Sequence, residues 1–155
     1  MFDANMILID GTINLTGNTD TPAISTDRDA TYGSAVVDLG PGGTTVGGLA
    51  AVLILPTAAV ASSTLTGFIE SSDSVDMTAE TNDVHELGKF DLAAEDKGVI
   101  TAAEVIATTI PVIIVMRIST FKRYVRANLT VNGTTEYNFY KVKCYLSPFP
   151  FKVLT

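Results

Sequence analysis

The chain has 155 residues, enough for one domain that buries about 70% of the surface its unfolded form exposes. A formal charge of −7 removes the general phosphate attraction of a nucleic-acid binder, and a single cysteine, Cys144, excludes an internal disulfide. The apolar stretches 49–61 and 105–116 hold Pro56 and Pro111 and are too short to span a bilayer, and residues 1–11 lack the basic start of a secretory leader. A soluble protein is therefore expected, with neither membrane nor nucleic acid as partner and with no cofactor.

Residues 1–33 read as an extended N-terminal arm. They offer a short apolar piece at 6–9, a turn at Asp10-Gly11, a second extended piece at 12–16 and then a polar run whose ordering needs a partner. The body, residues 34–147, opens with the strand-like SAVVDL of 34–39 and a Gly40-Pro41-Gly42-Gly43 connection. That glycine-rich loop lacks the Gly-Lys-Ser/Thr ending and the following helix of a phosphate loop, so it joins strand to strand. Leu49–Leu55 is the next strand, stopped by Pro56. Residues 64–71 follow as a third, with Leu65 and Phe68 toward the core and Gly67 marking a bulge.

Residues 71–83 are acidic and aperiodic, and strand character resumes over 84–92. Thr101 caps a short helical turn containing Ala102, Ala103 and Glu104. The β-branched run 112–116 predicts a strand buried on both faces and ended by Arg117. After the link Ser119-Thr120-Phe121, Tyr124, Arg126, Asn128 and Thr130 alternate with Val125, Ala127, Leu129 and Val131, the period of a half-buried strand, closed by an Asn132-Gly133 turn. Residues 139–146 alternate as a last strand, and 148–155 form a C-terminal tail. Seven or eight short strands separated by turn residues, with almost no helix, predict an all-β domain, a β-sandwich or jelly roll.

No constellation for catalysis emerges. His85, the one histidine, shares a strand face only with Asp83, and Cys144 lies on the apolar side of its strand without a base. Asp73, Asp76, Glu80 and Asp83 supply oxygen ligands without the spacing of a calcium loop, so neither a metal site nor an enzyme is expected. Charge is instead unevenly placed along the chain. Residues 1–116 hold 3 basic and 16 acidic side chains, a balance of −13, and residues 117–155 hold 7 and 1, a balance of +6. Such asymmetry suggests a bipolar surface that meets complementary patches on sister subunits or on another protein.

Three stretches carry a resemblance: MFDANMILI at 1–9, YGSAVVDLG at 32–40 and KRYVRANLTVNG at 122–133. With the strand order between them, the chain resembles the capsid decoration, or cement, proteins of short-tailed Bordetella phages; residues 71–83 and 148–155 lie outside the likeness. The resemblance implies a non-catalytic jelly roll, made in the bacterial cytoplasm, that ends on the outer surface of the virion. There it forms a homo-oligomer, dimer or trimer, and bridges and stabilises subunits of the major capsid protein. Contact residues expected for that role are Phe2 in the arm, Lys122, Arg123 and Arg126 on the basic strand, and Phe149 and Phe151 in the tail. The alternative is a carbohydrate-binding β-sandwich of a phage tail or fibre, with tyrosines taking the place of the absent tryptophan.

Overall fold

The computed structural model describes residues 6–11, 15–16, 36–44, 48–58, 62–75, 77, 83–90, 99–106, 111–133 and 137–148. In chain order the elements are β1 (Ile7–Asp10), β2 (Leu15–Thr16), β3 (Val37–Asp38), β4 (Leu49–Leu55), β5 (Thr57–Ala58) and β6 (Thr64–Ser72). They continue with β7 (His85–Lys89), β8 (Val99–Thr101), α1 (Ala102–Ile106), β9 (Val112–Ile118), β10 (Tyr124–Asn132), β11 (Tyr137–Tyr140) and β12 (Lys143–Pro148).

Eight strands make two antiparallel sheets, ordered β1-β12-β4-β9 and β3-β10-β6-β7. The pairs β1 with β12, β3 with β10, β4 with β9 and β6 with β7 nest inside one another along the sequence and alternate between the two sheets. Such nesting is what an antiparallel ribbon leaves when it rolls up, so the domain is a jelly-roll β-sandwich. The edge of β6 turned away from β10 is shared: β7 pairs along Phe68–Ser71, β8 along Thr64–Thr66, and the Phe90 amide donates to the Gly67 carbonyl at the joint. A small third sheet, β2-β11-β5, completes the pairing among the described residues.

Alternation places the core. In β10 the burial pattern is strictly two-fold, with Val125, Ala127, Leu129 and Val131 inside. They meet Leu49, Ala51, Leu53 and Leu55 of β4, Ile114 and Ile118 of β9, and Cys144 and Leu146 of β12 in one continuous apolar cluster with Phe90 and Phe139. Each large side chain so buried stabilises the fold by about 1.5–3 kcal/mol. The short helix follows Thr101 as expected, and its Ala102 amide donates to the Ser63 carbonyl.

Several expectations are corrected. β9 is not buried on both faces: Val112, Ile114 and Ile118 face the core, but Ile113 is 60% and Val115 51% exposed. A β-branched run suits a strand of either kind, and β9 is the edge of its sheet with a single covered face. Nor does Arg117 end it, since Ile118 still pairs with Leu49. The strand expected over 139–146 is two strands, broken where Lys141 takes φ 50°. That break shifts the alternation by one, so Phe139 joins Val142, Cys144 and Leu146 inside.

Gly67 marks no bulge against β10, where it pairs in register with Leu129. A Cβ at this position would lie 2.7 Å from Leu129 Cδ2 and 3.1 Å from Phe90 Cδ2, so the missing side chain leaves the space that Leu129 and Phe90 fill. At the ends, Ile7–Asp10 is seated in the first sheet against β12, with Leu8 and Ile9 in the core, and Pro148 closes β12 opposite Leu49. The partner for that part of the N-terminal stretch is supplied by the same chain.

Gly67→Ala is expected to destabilise the domain by about 1–3 kcal/mol through overpacking. Urea unfolding measures it, and an unchanged midpoint would show that Phe90 has room to yield.

Candidate functional site: the crossing between the two sheets

Between Ile118 of β9 and Tyr124 of β10 the chain passes from one sheet to the other, and a set of polar contacts is centred there. Thr120 lies at the middle and is buried. Its carbonyl accepts from the Thr44 amide at 2.8 Å and the Thr44 hydroxyl at 3.1 Å, and its own amide donates to Thr44 Oγ1 at 3.1 Å. Its hydroxyl donates to Ser71 Oγ at 3.1 Å and accepts from the Lys122 amide at 3.0 Å. The crossing is thus tied to the loop before β4 and to the end of β6. Gly43 permits the approach: its φ is +70°, and a Cβ there would stand 2.2 Å from the Thr120 carbonyl oxygen.

The basic cluster singled out from the sequence is present, and each member has an acidic partner within the chain. The Lys122 ammonium donates to Asp73 Oδ2 at 2.7 Å and to Asp83 Oδ1. Arg123 makes a two-pronged pair with Asp38, Nε to Oδ1 at 2.9 Å and Nη2 to Oδ2 at 2.7 Å. Arg126 Nε donates to Glu70 Oε2 at 2.7 Å, the two side chains being 13% and 15% exposed, and Asn128 Nδ2 donates to Glu70 Oε1 at 3.0 Å. The buried Asn128 Oδ1 has no hydrogen-bond partner among the described residues.

These partnerships shift titration. Hydrogen bonding to Lys122, aided by the Asp73 amide, holds the Asp83 carboxyl down at about 2. The Arg123 guanidinium likewise lowers Asp38, while the hydrogen bonds to Asp73 and then Asp83 raise Lys122. Asp73 and Asp83, considered above as oxygen ligands, have the Lys122 ammonium between them, and among the described residues no group of three His, Cys, Asp or Glu side chains is arranged to hold a metal. Asp76 and Glu80 lie outside the described residues. His85 is an exposed residue whose Nε2 stands 3.9 Å from Asp83 Oδ1.

Phe2, Phe149 and Phe151 lie outside the described residues. Reading the sequence overlooked Phe121, which is 91% exposed at the tip of the crossing, and the outward pair Ile113 and Val115 on β9. A signal was there to find: the alternation of β9, continued through the link, puts Phe121 on the side of Arg117 and Ser119.

On the outer face of the second sheet, Tyr124 and Phe68 bring two further rings to the surface, and each carries a cation; Phe68, expected toward the core, is turned outward by its alternation with Leu65 and Ile69. Arg123 lies 5.1 Å from the Tyr124 ring centre and Lys89 lies 5.0 Å from that of Phe68.

No protein-family model matches the chain, and no curated protein does. Among solved structures it is similar to a xylan-binding module, CBM15, at 12% identity over 90% of this chain and 95% of that one, with a TM-score of 0.41.

Asp83 adds stability that is complete above the ordinary carboxyl value of 3.8 and is lost as pH falls through about 2. Asp83→Asn is therefore expected to lower the melting temperature at neutral pH and to flatten its fall between about pH 4 and pH 2; acid limbs of equal steepness in the two proteins would refute the clamp. Burial pushes the Cys144 thiol well above its usual range. Native protein should resist thiol-reactive dyes that label it fully in denaturant, and rapid native labelling would contradict the burial.

Proposed function

We propose that this chain is a non-catalytic structural protein that binds a protein shell, acting as a cement that bridges and stabilises subunits of a phage major capsid protein on the outer capsid surface. The observation that carries the reading is the apolar surface left on rigid elements. Ile113 and Val115 project from β9, an edge strand that pairs only with β4 among the described residues, and Phe121 stands out on the crossing that follows. Ile113 and Val115, two residues apart on one face of an edge strand, are read as a surface for another protein. The resemblance carried by residues 1–9, 32–40 and 122–133 supplies the partner class, and a jelly roll provides a stiff body for it; the fold alone would not, since the same architecture hosts many roles.

The expected basic contacts change meaning in this reading. Lys122, Arg123 and Arg126 are engaged by Asp73, Asp83, Asp38 and Glu70, so they shape the docking end and leave little unpaired charge for an acidic partner. Recognition rests on apolar contact with a polar rim, and oligomerisation raises the effective concentration for each further contact.

A carbohydrate-binding sandwich is the second reading, favoured by the outer face of the second sheet, where Tyr124 and Phe68 flank Glu70, Arg126 and Asn128. Cations lie over both rings, which takes away a stacking face that a sugar would use.

Purified protein should co-sediment with expanded capsid shells from the same source that lack it, saturating at a fixed ratio to capsid subunits. Binding should change little between low and moderate salt, because the charges near the contact are already paired. Absence of binding, together with saturable binding on a glycan array, would replace this reading with the second.

A further inference from the structure

We propose that β9 is a pairing edge: it joins the β9 of a second copy of this chain, antiparallel about a two-fold axis, and turns two four-stranded sheets into one of eight strands. An open strand edge offers a row of unpaired amides and carbonyls, and proteins normally blunt it. The outer strands of the two main sheets differ in this respect. β1 carries a register shift between Ile7 and Ile9, β3 has two residues, and β7 shows His85, Glu86 and Lys89 to solvent, with the three-residue β8 beside it. β9 has none of these devices. It runs for seven residues in unbroken register with β4, contains no lysine, proline or glycine, and pairs with no other strand among the described residues.

What pairs there follows from the strand itself. Residues opposite one another in an antiparallel pair share a face of the sheet. Centred on Val115, β9 against β9 uses the whole strand. On the core side Val112 meets Ile118 and Ile114 meets Met116; on the outer side Val115 meets its own copy and Ile113 meets Arg117, so no like charges face each other. Centres on either side shorten the overlap: Ile114 brings Pro111 opposite Arg117, and Met116 leaves Val112 and Ile113 facing residues beyond the strand. Pairing with a different edge of a second copy would meet a bulge, a short strand or the charges of β7, whereas the two-fold arrangement uses the same edge on both copies and closes. Charge favours this line of contact too. Two copies of a chain of charge −7 repel, but residues 111–121 contain Arg117 and no acid. Beside them β7, whose Gly88 lies under Met116, adds Glu86 and Lys89, one of each sign. Because the pairing runs through the backbone, Ile113 and Val115 of both copies stay outward and merge into one apolar strip.

Sedimentation velocity on the purified chain tests this, and wild type should run as a dimer. Val115→Lys sets two ammonium groups against each other across the axis at a position 51% exposed. It should weaken the dimer about 100-fold while circular dichroism stays that of wild type. Under copper-catalysed air oxidation Val115→Cys should give a disulfide-linked dimer, since opposite Cα atoms in an antiparallel pair stand about 5 Å apart, within the span of a disulfide. Ile113→Cys should not, because in this register its two copies are about 14 Å apart. The buried Cys144 stays out of both reactions. A monomeric wild type, open-ended association beyond the dimer, a dimer that Val115→Lys leaves intact, or Ile113→Cys crosslinking as readily as Val115→Cys would each overturn the pairing. None of these readouts uses capsid shells, so the pairing and the capsid-binding reading stand or fall separately.

Discussion

The structure depends on getting the chain from one sheet to the other between Ile118 and Tyr124 without leaving buried polar groups unmatched. Packed sheets stand about 10 Å apart, and five residues reach at most about 18 Å, so the crossing has little slack to bulge into solvent. Thr120 resolves the problem by turning inward and spending its carbonyl, amide and hydroxyl on Thr44, Ser71 and Lys122. Each such group left bare would cost about 1–3 kcal/mol. Through Thr120 the crossing fixes the loop before β4 and the end of β6, and the Lys122 clamp then fastens Asp73 and Asp83 to it.

The same nesting of strands brings part of the basic portion of the chain against part of the acidic portion. β10 belongs to the basic portion of the chain, and the jelly roll inserts it between β3 and β6, both from the acidic portion. Asp38 of β3 therefore meets Arg123 just before β10, and Glu70 of β6 meets Arg126 of β10, at sequence separations of 85 and 56. Three of the basic residues thus become members of local pairs in space. Where the pairs are half exposed, as at Arg123 with Asp38, solvent screens them and they contribute modestly to stability. Their larger effect is orientation, since Asp38 also accepts from the Gly40 amide and so joins the loop to β10.

Strand type and position were legible wherever alternation and breakers agreed. Leu49–Leu55 was readable to the residue because an apolar run meets Pro56, and the β10 alternation reads directly into its burial. Legibility failed where the deciding fact was not local. Ile113 and Val115 have the composition of buried residues, and only the sheet order shows that nothing described covers them. Lys141 gives no sign of its positive φ, because lysine is not a residue that prefers that region. The basic cluster was visible, whereas its partners were not, since they come from strands far away in sequence. Likewise, the role of Gly67 depends on Phe90, which no local pattern connects to it.

Exposure through β9 and the crossing follows one period: Ile113, Val115, Arg117, Ser119 and Phe121 point out, while Val112, Ile114, Ile118 and Thr120 point in. Phe121 is outward because its neighbour must be inward. The reverse arrangement would put a phenyl ring against the Thr44 and Ser71 polar groups and strip Thr120 of the bonds that make the crossing possible. Folding thus requires a threonine at 120 and asks almost nothing of 121, where a serine would meet the solvent as well. A phenylalanine at a position the fold leaves free contributes little to this domain alone. Its apolar area gains value only when something outside the domain removes it from water.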